Sequence, residues 1–204
     1  MRTKKVLFYI LATLLGGCIP VISLNSFYRP SDVTFDKNLL GTWVDEPNNP
    51  ANTWVFSQND DPNIGYNFEF TDEQGRKGLF VANLFSVGET DFLDVYPAQL
   101  PWEPGDPNKI EFFYNTFLMI PAHSIMKVDS IGKEFKARLT ETDKLKDLLD
   151  ENPGVIRYKA IEGRIILSAS TEELRTFITK YSEDDRLFPD KFTMYRLGAE
   201  VSKP

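Results

Sequence analysis

The side chains best suited to chemistry are one histidine and one aspartate. His123 is the only histidine of the chain, and Asp94 stands in the apolar run Phe92–Tyr96. An imidazole works as a general base only beside a nucleophile and an orienting carboxylate. Ser124 follows His123, but adjacent residues of a strand point to opposite faces of a sheet, and the sequence holds no G-x-S-x-G elbow. We expect both side chains to have structural or pocket-lining roles, with no catalytic residue and no enzymatic activity.

The sequence also predicts no metal and no cofactor. One Cys and one His are too few for a structural zinc site, which takes four such ligands. The oxygen-rich stretch Asn59, Asp60, Asp61 and Asn63 precedes Gly65. It lacks the register and the terminal glutamate of a calcium loop. We therefore interpret it as a solvated turn.

The first 18 residues have the pattern of an export signal. Three positive charges within residues 1–5 are followed by the ten-residue apolar run Val6–Leu15, two glycines and Cys18, the only cysteine. A helix of ten residues covers about 15 Å, half of a bilayer core about 30 Å thick. A secretory signal peptide therefore fits better than a membrane-spanning helix.

The end of this run, Leu15-Gly16-Gly17-Cys18, resembles a bacterial lipobox. The resemblance implies that residues 1–17 are a lipoprotein signal peptide, that the Cys18 thiol carries diacylglycerol, and that the new amino terminus carries a further acyl chain such as palmitate. Two or more acyl chains anchor a protein firmly, whereas one chain gives marginal binding. An ordinary cleaved signal and an uncleaved anchor are the alternatives.

Charge and position suggest where the exported domain lies. Removing residues 1–17 takes away three positive and no negative charges, which moves the net charge from -7 to -10. Anionic lipid repels such a domain, so we expect residues 18–37, with Pro20 and Pro30, to be a tether that holds it off the membrane. Because Ile19 and not Asp follows Cys18, the lipobox resemblance implies the outer membrane where two membranes exist, with the cell membrane as alternative and the domain on the periplasmic or extracellular side.

Residues 38–204 read as one mainly β domain. Short strands with two-residue alternation recur at hairpin spacing through residues 40–140. Leu145, Leu148 and Leu149 predict one helix, and the capping box that begins at Ser170 predicts a second. A meander of this kind must protect its edge strands. We predict an antiparallel meander closed as a β-barrel with two short helices near the C-terminus; a β-sandwich or an α+β fold is the alternative.

Two resemblances extend this interpretation. Leu40-Gly41-x-Trp43 resembles the G-x-W signature of lipocalins, which implies a lipocalin-like barrel whose closed end is filled by Trp43 and an arginine of the last strand, here Arg196. Blocks spread over residues 38–197, among them residues 92–97 and 166–174, are similar to a group of uncharacterised bacterial lipoproteins. That group implies no activity.

The sequence is compatible with more than one class of function. We expect a lipid-anchored envelope protein whose partners are the membrane and a small apolar or amphipathic ligand in the barrel. The alternative is a structural or protein-interaction module with a filled barrel and an envelope protein as partner, and a hydrolase comes last. The acidic balance, 30 Asp and Glu against 23 Lys and Arg, speaks against nucleic acid, which binds positive patches.

Overall fold

The structure, a computed structural model, describes residues 21–60, 65–98 and 120–198. Eight antiparallel strands form a closed barrel, and two α-helices follow late in the chain. The predicted fold class is therefore confirmed. The strands are β1 Ile22–Ser23, β2 Val33–Thr34, β3 Gly41–Val44, β4 Thr53–Gln58, β5 Tyr66–Thr71, β6 Lys77–Val87, β7 Thr90–Pro97, β8 Ser124–Ile131, β9 Glu134–Leu139, β10 Tyr158–Ile161, β11 Arg164–Leu167 and β12 Asp190–Arg196; the helices are α1 Thr142–Glu151 and α2 Thr171–Tyr181.

The barrel closes between the first and the last of its strands. The order around the wall is β3, β4, β5, β6, β7, β8, β9 and β12, and β12 pairs with β3 through Arg196 opposite Trp43. Closure leaves none of these eight strands as a free edge, which removes the template for edge-to-edge aggregation. β2 adds to the wall beside β6.

Alternation along β7 divides the hydrophobic residues into two cores. Leu93 and Val95 point into the barrel, whereas Phe92 points outward. The outer core is formed by Phe92, Ile125 and neighbouring wall residues together with the apolar faces of α1 and α2. Ser170 caps α2 in a reciprocal capping box with Glu173, as the sequence predicts. A small sheet in the order β1-β11-β10 belongs to the same layer.

The N-terminal segment corrects the predicted tether. Residues 21–37 do not stand away from the domain, because Val21 and Phe27 are buried in the outer core. β1 pairs with β11, and β2 pairs with β6. Burial of the Val21 and Phe27 side chains contributes more free energy than the ordering of this part of the chain costs. The folded domain therefore includes residues of the stretch 21–37, which the sequence assigns to the tether.

Candidate functional site

Asp94 lies on the outer face of the barrel wall, beneath the N-terminal segment. Its neighbours Leu93 and Val95 point inward, so its carboxylate points outward into the layer that residues 21–29 cover. It is fully buried. A buried carboxylate is costly unless it is paired and hydrogen-bonded, so its partners define the site.

Two groups satisfy the Asp94 carboxylate. Nδ1 of His123 lies 2.7 Å from Oδ1, and the backbone N–H of Phe27 donates to Oδ2 over 2.9 Å. Burial raises the pKa of the Asp94 carboxyl, while the hydrogen bonds from His123 and Phe27 act in the opposite direction. The structure thus brings together the two polar residues that the sequence singles out.

The site contains two residues that the sequence analysis does not identify. Asn83, opposite Asp94 in β6, is buried; its amide donates to the hydroxyl of Tyr28 over 3.1 Å and accepts from the backbone N–H of Gly65 over 2.9 Å. Burial is the largest cause that raises the pKa of Tyr28 well above its usual value. Asn83 stands in an apolar strand just as Asp94 does, and that signal could have located it.

The arrangement fastens the N-terminal segment to the wall. His123 and Ser23 exchange two backbone hydrogen bonds of 2.8 and 2.9 Å, and Asp94 holds Phe27. Ser124 pairs with Val95 and so faces the barrel interior, away from the His123 ring. An aspartate that orients a histidine is part of many hydrolytic sites; here the contacts of the pair join the barrel wall to the backbone of Ser23 and Phe27.

Trp43 and Arg196 pack together at the end of the barrel at which β3 begins and β12 ends. The guanidinium carbon of Arg196 lies 4.3 Å from the Trp43 ring centre, and its two terminal nitrogens donate to the carbonyls of Leu40 and Asn38 over 2.8 and 2.5 Å. Gly41 has φ +114°, and a Cβ there would lie 2.9 Å from Nη1 of Arg196. The Gly-x-Trp spacing therefore lets the arginine lie close to the backbone of β3.

Aromatic rings fill the middle of the barrel. Phe56 stacks on Phe68 at 4.6 Å, and Trp54 reaches across to Phe135 at 6.2 Å and to Phe192 at 5.2 Å. Rings from β4, β5, β9 and β12 thus contact one another in the barrel interior. These contacts are the close packing expected of a protein interior.

A pocket of about 370 Å³ lies at the Trp43–Arg196 end. Its apolar part comes from Leu84 and Val128, which belong to the barrel interior, and from Ile131 beside them. Its outer wall is the stretch Thr34–Asp36, part of the N-terminal segment. Volumes of about 300–1,000 Å³ are usual for small-molecule sites. We refer to this cavity as the end pocket.

The rim of the end pocket is polar and acidic. Ser86 donates to Asp91 over 2.6 Å, and Ser130 lies nearby. Asp36, the second acid of the lining, accepts from the backbone N–H of Asn38 over 2.8 Å. The two ionisable residues of the lining are thus both acidic, and a negative rim favours cationic over anionic ligands.

An aromatic pair adjoins the end pocket. Phe35 is 47% exposed and stacks on Tyr66, with ring centres 4.9 Å apart. The Tyr66 hydroxyl accepts from the backbone N–H of Asp36 over 2.7 Å. Burial raises the pKa of Tyr66 to about 12. The phenol is therefore neutral at physiological pH and serves as a hydrogen-bonding support for the pocket wall.

Several predictions fall outside the described residues. Cys18 and the signal peptide do, as do Asp61 and Asn63 of the oxygen-rich stretch. In the ranges that are described, no group of three His, Cys, Asp or Glu could hold a metal ion. The helices described there are all too short or too polar to cross a membrane.

Comparison with known proteins yields no match to a family model, to a curated protein or to a solved structure. The resemblances to the lipobox, to lipocalins and to the lipoprotein group therefore remain predictions from short motifs. We therefore base the functional inference on the end pocket and on the N-terminal segment.

Proposed function

We propose that this protein is a lipid-anchored protein of the cell envelope that binds a small amphipathic ligand in the end pocket of its barrel. The single observation that carries the proposal is the pocket of about 370 Å³ bounded by interior residues of the barrel and by residues 34–36. The lipobox pattern at Cys18 supports the anchor.

The ring packing decides where a ligand can bind. A ligand deep on the barrel axis would have to displace Phe56, Phe68 and Phe135, whose rings are in contact. The end pocket needs no such displacement, because Leu84 and Val128 already line it. A short apolar chain placed there would contact both side chains and keep its polar head at the rim.

The charge of the rim selects the head group. Asp36 and Asp91 would attract an ammonium or another hydrogen-bond donor and repel a carboxylate or phosphate. The exposed Phe35 ring beside them can add a cation–π contact. The proposed ligand class is therefore a neutral or cationic amphiphile with a short chain.

Calorimetric titration of the full-length lipoprotein with decylamine and with decanoate tests the proposal, since the two probes share a chain and differ in head charge. We expect decylamine to bind about tenfold more tightly or better, a difference of about 1.4 kcal/mol. Ser130→Trp places a large ring in the pocket from an exposed position and should abolish binding. Ser57→Trp, at an exposed position of β4 outside the pocket, is the matched control.

Equal affinity of wild type and Ser130→Trp would contradict the end pocket as the site. Absence of binding by both probes would favour the second candidate, a structural or protein-interaction module. The solid aromatic interior supports that candidate, because a filled barrel is a rigid scaffold. Its test is crosslinking in intact cells followed by identification of the envelope proteins attached to the domain.

A further inference from the structure

The small sheet has one buried and one open face. Ile165 and Leu167 of β11 point into the outer core. Because paired residues share a face, Ile22 and Ile166 lie together on the opposite face, and Lys159 joins them from β10. Among the described residues, no other helix or strand covers this opposite face of the small sheet.

This open face combines apolar and basic side chains. Ile161 and Arg164 are paired on it, and Ile161 is 48% exposed. Leu24 follows β1 two residues after Ile22, donates from its backbone to the carbonyl of Leu167, and is 41% exposed. The strands β1, β10 and β11 contain no acidic residue, although the chain as a whole carries a charge of -7.

The chain leaves this sheet toward the predicted anchor. Val21 is buried and immediately precedes β1, and Cys18 is three residues earlier. Three residues extend at most about 11 Å. Since β1 runs parallel to β11, its start lies toward the turn at Glu162 and Gly163, beside Ile161. An acylated Cys18 therefore places the bilayer surface within about one strand length of the open face.

We propose that the open face of the small sheet, formed by Ile22, Leu24, Lys159, Ile161, Arg164 and Ile166, docks on the bilayer that holds the acyl chains of Cys18. This inference rests on the proposed lipid anchor. Aliphatic side chains enter the interfacial region, and Lys and Arg contact anionic lipid head groups. The acidic remainder of the domain then points away from the membrane, an orientation that follows from short attachment and opposite surface charge.

Depth-dependent quenching tests the orientation. Diacylglycerol blocks the only native thiol, so Ile161→Cys and Gln74→Cys each offer one site for an NBD label on the full-length lipoprotein. Gln74 lies in the exposed turn between β5 and β6 and is the control. In phosphatidylcholine vesicles with about 30 mol% phosphatidylglycerol, lipid-borne doxyl groups should quench the label at position 161 about threefold more strongly than at position 74.

A second variant isolates the basic residues. Lys159→Glu combined with Arg164→Glu changes two exposed side chains and should reduce quenching at position 161 to the control value in the anionic vesicles. Docking would be overturned if the two labelled lipoproteins, without the charge reversals, showed equal quenching at positions 161 and 74 once each is shown to be bound to vesicles. Docking on the bilayer would also be overturned if, in detergent, the emission of the label at position 161 were blue-shifted and the protein had the mass of a dimer. The open face would then bind a second copy of the chain.

Intact mass and vesicle flotation separate a failure of docking from a failure of the anchor. An unacylated protein that does not float with vesicles overturns the anchor, and docking with it. An acylated protein that floats with vesicles but shows equal quenching at positions 161 and 74 overturns docking alone. An acylated protein that floats with strong quenching at position 161 supports both.

Discussion

Replacing Asp94 by alanine should loosen the N-terminal segment from the barrel. The substitution removes the acceptor of two hydrogen bonds, one from the Phe27 amide at 2.9 Å and one at 2.7 Å from Nδ1 of His123. A hydrogen bond to a charged group contributes about 1.5–3 kcal/mol, so the two together contribute about 3–6 kcal/mol. Relief of the carboxylate's burial cost offsets part of this.

We therefore expect Asp94→Ala to lower the free energy of unfolding by about 2–4 kcal/mol. With an m-value of about 2 kcal/mol/M, the urea midpoint should fall by about 1–2 M. The assay is equilibrium unfolding in urea, followed by tryptophan fluorescence because Trp43 is buried and Trp54 partly buried in the barrel interior. Hydrogen exchange should show faster exchange over residues 21–29 in the variant than in the wild type.

Asp91→Ala is the matched control, since it makes the same chemical change three residues earlier in β7. Asp91 is exposed and bonds only to Ser86 among the contacts recorded for it, so its loss should cost under about 0.5 kcal/mol. A change below about 1 kcal/mol for Asp94→Ala, or unchanged exchange of residues 21–29, would refute the view that Asp94 fastens this segment.

Three further predictions concern the same site and the Trp43–Arg196 end of the barrel. Burial raises the native pKa of Asp94, so the native state binds this proton more tightly than the unfolded chain; the stability of the wild type relative to Asp94→Asn should fall as pH rises from about 4 through the native pKa and then level off. Urea midpoints of both proteins from about pH 4 to 7 check this. A wild-type midpoint that rises relative to that of Asp94→Asn as pH increases would contradict it. Arg196→Lys loses the paired donors to Leu40 and Asn38 and should cost about 1–2 kcal/mol in thermal unfolding; an unchanged melting temperature would mean that the pair does not hold this end. Gly41→Ala meets both the positive φ and the 2.9 Å approach of Arg196 and should cost about 1–3 kcal/mol, whereas Gly132→Ala, which has open space around it, should be near neutral in the same measurement.

The barrel itself could be predicted from the sequence because its strands alternate. Tyr66, Phe68 and Phe70 share one face of β5, and such spacing distinguishes a strand from a helix. The helix that begins after Ser170 could be predicted for a similar local reason, its capping box. The position of Arg196 above Trp43 could be anticipated only through the resemblance to lipocalins, since no local pattern connects residues so far apart in the chain.

The N-terminal segment could not be predicted in this way. β1 and β2 have two residues each, too few to show any periodicity, and Pro30 in a polar stretch favours a linker. Burial of Val21 and Phe27 depends on the shape of the outer core that α1 and α2 complete. The same limit applies to the end pocket, because its outer wall is formed by residues 34–36 of this segment.

The candidate polar site was partly visible in the sequence. A carboxylate in an apolar strand must find partners, and this reasoning singles out Asp94. Its pairing with His123 could not be derived, since Asp94 lies on β7 and His123 immediately before β8, and the register of these two strands is set by the whole barrel. Phe27 contributes a backbone N–H, a group that carries no sequence signature.

The cellular location of the proposed ligand site and the orientation of the domain both depend on the lipid anchor at Cys18. Intact mass spectrometry of the protein extracted from membranes of the native organism tests it most directly. We expect a chain that begins at Cys18 and carries diacylglycerol together with a further acyl chain. A mass equal to that of an unmodified polypeptide, whether it begins at Met1 or at a later residue, would contradict it.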